Sequence, residues 1–189
     1  GQLTFVTESI TPTANNLLLL AVHNTKASAA APSAVSGLGL TWTSVNTQQF
    51  NTAADRVSVY RALGTPSPVT GAVTITFAAT QTAVRWSISE FGNVDTTTPA
   101  IQSAIGTGSG TALATTDLGA FGSSSNATYG AFATNSTSGV APNGPDTASD
   151  YSQTDEVTNT GTLFTEWYSG NDVDVQATAP ATVAWGGVG

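Results

Sequence analysis

The chain has 189 residues, of which only 8% are charged; Lys26, Arg56, Arg61 and Arg85 stand against 12 Asp and Glu, a formal net charge of -8. Nucleic-acid binding is excluded as an expectation, because phosphate contacts need clustered Lys and Arg, and an anionic membrane surface repels such a chain. With no Cys, no Met and one His, the chain has few ligands for a Zn²⁺ site and no sulfur to oxidise, which suits a long-lived extracellular protein.

The local pattern is short runs of β-formers between turn residues. Strands are predicted at Leu3–Thr7, Asn16–His23, Leu40–Thr47, Arg56–Ala62, Ala72–Ala78, Ala83–Phe91, Ala112–Leu118, Thr128–Thr134, Tyr151–Val157, Leu163–Tyr168, Asp172–Thr178 and Thr182–Val188. A spacing of roughly 10–15 residues is that of a sandwich or barrel, and no stretch keeps a helical apolar period. Leu17–Val22 is the longest apolar run, too short to span a membrane and without the charged lead of a secretion signal. It is apolar on both faces, as a central or covered strand would be. Val73, Ile75 and Phe77 alternate with Thr74 and Thr76. Val84, Trp86 and Ile88 alternate likewise with Arg85, Ser87 and Ser89. Gly64–Pro68, Thr96–Pro99, Gly106–Gly110, Gly122–Asn126 and the long Asn135–Ser149 stretch read as connections. No break in composition divides the chain, so residues 1–189 are expected to form a single β-sandwich domain. Gly1 fits either removal of a start Met before a small residue or cleavage of a signal. Both ends read as strands, and a strand edge invites pairing with another chain. Leu3, Phe5 and Val6 at one end, and Val183, Trp185 and Val188 at the other, are the expected assembly contacts.

Few residues could carry chemistry. His23 closes an apolar run with no flanking acid, and a strand-end or surface position is expected rather than a catalytic triad. Glu90 and Glu166 each sit beside aromatic residues, Trp86 and Phe91 for the first, Trp167 and Tyr168 for the second. Two facing carboxyls would serve glycoside hydrolysis, but the same positions fit the solvent side of alternating strands. Asp146, Asp150 and Asp155, with Glu156 and further on Asp172 and Asp174, are the Ca²⁺ candidates. The spacing of a calcium-loop motif is absent, and a solvated acidic loop is the expectation, with no cofactor. Trp42, Trp86 and Trp185 alternate with apolar neighbours as core residues do. Tyr168, beside Gly170 and Asn171, is the aromatic residue best placed for exposure, so Tyr168 and Asn171 are the candidate glycan contacts. Asn126 and Asn135 match the glycosylation acceptor pattern.

Four segments in fixed order, Val35–Trp42, Arg56–Ala62, Ala83–Asp95 and Asn126–Thr134, carry a Gly-linked Trp strand, a Tyr-Arg-Ala strand and a Ser-x-x-Glu-Phe-x-x-Val-Asp strand end. Together they resemble β-sandwich modules of phage virion proteins and of bacterial secreted or surface proteins. The resemblance implies an immunoglobulin-like or jelly-roll sandwich, and its motifs, being structural, carry over no catalytic residues.

The expectation is therefore an all-β, two-sheet antiparallel sandwich, jelly-roll or immunoglobulin-like, of about 10–12 short strands. Its expected role is non-enzymatic: a subunit that assembles into or onto a phage particle or surface filament, outside the cell or on a virion. Its partners would be copies of itself or another structural protein of the same particle. The alternatives are a carbohydrate-binding module, whose partners would be glycans, and a jelly-roll glycosidase using Glu90 and Glu166.

Overall fold

A computed structural model describes residues 1–64, 67–100, 102–123, 125–143, 152–158 (backbone only), 160–170 and 172–189. Among them no helix forms. The strands are β1 (Gln2–Val6), β2 (Leu17–Thr25), β3 (Ala34–Gly37), β4 (Thr43–Phe50), β5 (Asp55–Leu63), β6 (Val73–Gln81), β7 (Ala83–Phe91), β8 (Ile105–Ala114), β9 (Ala127–Thr134), β10 (Ala141–Pro142), β11 (Ser152–Thr158), β12 (Thr162–Ser169) and β13 (Gln176–Val188). The chain is all-β and antiparallel, with strands in the orders β1-β6-β3, β4-β5-β2-β7 and β10-β13-β9-β12-β11, β8 lying against β13.

The sandwich is built twice over one shared layer. Strand β2 explains why. Leu18, Leu20 and Val22 point to one side and pack with Val73, Ile75 and Phe77 of β6. Ala21 points to the other side, with Val57, Val59, Ala131, Ala133 and Leu163. Residues 17–24 are all buried, so the four-stranded sheet is covered on both faces. The apolar run that reads as a central strand is therefore the spine of the middle layer. A third core lies on the outer face of the six-stranded sheet, where Phe132, Phe164, Val175, Leu113 and Trp185 meet.

Several expected boundaries shift. The Gly106–Gly110 segment is not a loop. It lies within β8, pairing Gly110 with Val183, Gly108 with Trp185 and Gly106 with Gly187. The absence of side chains is what admits the close approach: a Cβ on Gly108 would sit 3.1 Å from the Trp185 ring. The two strands expected at 172–178 and 182–188 are one strand, β13. Its register against β8 slips between Thr178 and Val183, a span that contains Pro180 with no amide to donate. Beyond that slip, Leu113 and Ala177 join Phe132 and Phe164 in the outer core.

Candidate functional site

The three-stranded sheet leaves β1 at an open edge. Phe5 turns inward and meets Phe77 edge-on, ring centroids 5.9 Å apart. Leu3 is 48% exposed and Val6 56%. Natural edges are usually guarded by charge or proline, yet β1 contains neither. The C-terminal contact residues fare differently. Val183, Trp185 and Val188 are buried, and β13 is hydrogen-bonded to β8 on one side and β9 on the other. Among the described residues, the strand they belong to is paired within the chain, Val183, Trp185 and Val188 standing opposite Gly110, Gly108 and Ile105 of β8.

His23 is not a surface residue. It is fully buried, directly across from Arg85 in the β2–β7 register. Its Nε2 lies 3.0 Å from Asp55 Oδ1, and Arg85 Nη1 lies 3.2 Å from its Nδ1. Since a guanidinium only donates and a carboxylate only accepts, the ring is the neutral tautomer with its proton on Nε2. Burial, with help from the Arg85 charge, lowers the His23 pKa. Asp55 also accepts from Thr25 (2.7 Å) and Asn51 (2.6 Å); burial opposes its ionisation, but these hydrogen bonds with that from His23 prevail and lower its pKa. With both ring nitrogens engaged, the cluster ties β2, β5 and β7 together. The turn that positions Asn51 places Asn51, Thr52 and Ala53 at φ of 51°, 49° and 70°. That is a left-handed run, strained most at the β-branched Thr52.

The two glutamates do not face each other. Glu90 shares the side of β7 that carries Trp86 and Ile88 toward the three-stranded sheet. It is exposed, and its Oε1 accepts from Thr13 N at 2.7 Å and Asn16 Nδ2 at 2.8 Å. Glu166 belongs to another sheet and shares its side of β12 with Phe164, toward the outer core. It is fully buried instead of solvent-facing, and neither carboxyl oxygen has a hydrogen-bond partner among the described residues. Burial, with a contribution from Asp172, raises its pKa to about 9. The structure does not bring the two acids together: Glu90 faces the three-stranded sheet and Glu166 the outer core, on different sheets.

Of the Ca²⁺ candidates, Asp146 and Asp150 and the side chain of Asp155 lie outside the described residues. Among the described residues no three acidic or histidine side chains converge on a space fit for a metal. Tyr168 is half-buried and packs against the outer core. Asn171, its expected companion in glycan contact, lies outside the described residues.

One feature was not visible in the sequence. At one end of the interface between the middle and six-stranded sheets lies a cavity of about 410 Å³. Leu17, Leu19 and Val59 of the middle sheet line it, as do Tyr129 and Trp167 of the six-stranded sheet, with Asn93, Asp95, Pro99, Phe121, Asn126 and Ala127 among the connecting residues that complete it. Phe91 joins the aromatic wall edge-on, its centroid 6.1 Å from Tyr129 and 5.9 Å from Trp167. The signal that could have found it is weak: turn-rich sequence following Phe91 and preceding Ala127.

Comparison with known protein families, with curated proteins and with solved structures returns no match.

Proposed function

We propose that the chain is a non-enzymatic structural domain that associates with further copies of itself along β1, as a subunit of a repetitive extracellular structure such as a phage particle or surface filament. The observation that carries this reading is the uncharged, proline-free edge of β1, with Leu3 and Val6 exposed beside a strand edge that no other strand pairs among the described residues. Strand addition at such an edge supplies main-chain hydrogen bonds, and side chains on alternate positions supply fit. The low charge of the chain supports the same reading, since charged faces must be desolvated on assembly. The jelly-roll or immunoglobulin-like form of the sandwich, and the virion or cell-surface setting, rest on the resemblance of the four strand segments.

Sedimentation velocity on the chain and on the double variant Leu3→Lys, Val6→Lys tests it. The chain is expected to sediment as oligomers that grow with concentration, and the variant as a folded monomer, because lysines guard the edge. A wild-type chain that stays monomeric at every concentration overturns the proposal.

A further inference from the structure

We propose that the cavity between the middle and six-stranded sheets is a binding site for a neutral, largely apolar small molecule. The cavity is on the opposite face of the middle sheet from β1, so this inference is independent of the assembly reading. Its size falls in the range of sites for small ligands, roughly 300–1,000 Å³, at about 410 Å³. Its floor and walls are Leu17, Leu19, Val59, Phe91, Tyr129 and Trp167: aliphatic on β2 and β5 of the middle sheet, aromatic on β7 at that sheet's edge and on the six-stranded sheet. A flat or slender apolar molecule between them would have contact on both sides.

Charge narrows the ligand class. No Lys or Arg is among the described lining residues, so an anionic group has no counter-charge there. Among the described lining residues Asp95 is the one charged side chain, and its Oδ1 already accepts from the amides of Thr97 (2.7 Å) and Thr98 (3.1 Å). Those two hydrogen bonds hold its pKa below the usual carboxylate value; its charge serves the loop rather than a ligand. The amide side chains of Asn93 and Asn126 at the rim can take one polar end of an otherwise apolar guest. A sugar, with hydroxyls around its whole edge, would leave most of them unsatisfied against these walls.

The test uses N-phenyl-1-naphthylamine, a neutral, planar probe with one N–H that brightens in apolar surroundings. Titration into the chain should give a saturable rise at one probe per chain, with quenching of tryptophan emission through the nearby Trp167. The sulfonated analogue 1-anilinonaphthalene-8-sulfonate should bind at least about tenfold more weakly, a difference of about 1.4 kcal/mol. Ala127→Trp, which adds a ring at the mouth, should weaken the neutral probe by a similar factor. Absence of saturable binding, equal binding of the anionic probe, or unchanged affinity in folded Ala127→Trp overturns the site. If that variant fails to fold, the Trp167 indole resonance decides: a shift on titrating the wild-type chain supports the site, and an unmoved resonance refutes it.

Discussion

Glu166→Gln offers the sharpest test of the outer core. In the folded chain the carboxyl is fully buried with neither oxygen partnered among the described residues, and its pKa rises from 4.5 to about 9. In the unfolded chain it ionises near the ordinary value. Between those two values the folded state therefore holds a proton that the unfolded state has lost, so stability falls as pH rises through the window. Each pH unit is worth about 1.4 kcal/mol. From about pH 5 to about pH 8 the wild-type chain should lose up to roughly 4 kcal/mol from this group alone. Glutamine has nearly the same shape and burial cost but does not ionise. The difference in stability, variant minus wild type, should thus start small and widen in favour of the variant as pH rises. Urea unfolding followed by tryptophan emission at several pH values measures it. A difference that does not change with pH would refute the reasoning, since it would mean that Glu166 is ionised or wet in the folded chain.

Leu20, fully buried under the three-stranded sheet, should lose about 2–5 kcal/mol on Leu20→Ala, read as a drop in the urea midpoint. Arg85→Ala removes the cation beside His23 and Asp55 in a buried site and should cost about 3 kcal/mol. By removing the Arg85 charge, which lowers the His23 pKa, it should also let His23 take up a proton at higher pH, visible in the imidazole proton shifts. An unchanged His23 titration would count against the coupling. Thr52→Gly relieves a β-branched residue held at φ 49° and should raise stability by about 1 kcal/mol; a loss would mean that the turn is not strained there.

The fold class was legible because alternation in β6 and β7 and the turn residues between strands are local signals. So was the central position of β2, since Leu17–Leu20 cannot be hidden from one side only. The extent of its covering was not. Arg85, Ser87 and Ser89 look like a solvent face in sequence, yet all three are buried, with Ser87 Oγ 3.4 Å from Thr165 Oγ1 across the interface. A polar face that meets another polar face reads as exposed until the second sheet is known. The His23 cluster was hidden for the same reason. Asp55 is 32 residues away in the chain and Arg85 62, and only the strand register sets them beside the ring. The glycines of β8 misled because their use is steric: they make room for Trp185, a residue 77 positions on from Gly108. The β1 edge was legible, being a short uncharged strand; the burial of Val183, Trp185 and Val188 was not, because it depends on which strands flank β13.

Hydrogen exchange at β1 addresses assembly most directly. Thr7 N donates to Val73 O at 3.0 Å, so by antiparallel alternation the amides of Thr4 and Val6 point away from β6 and are unpaired in a lone chain. If copies join along this edge, exchange at Thr4 and Val6 should slow as the protein is concentrated, while Phe5 stays protected throughout. Fast exchange at both positions in material already shown to be oligomeric would contradict the account, for the contact would then lie elsewhere.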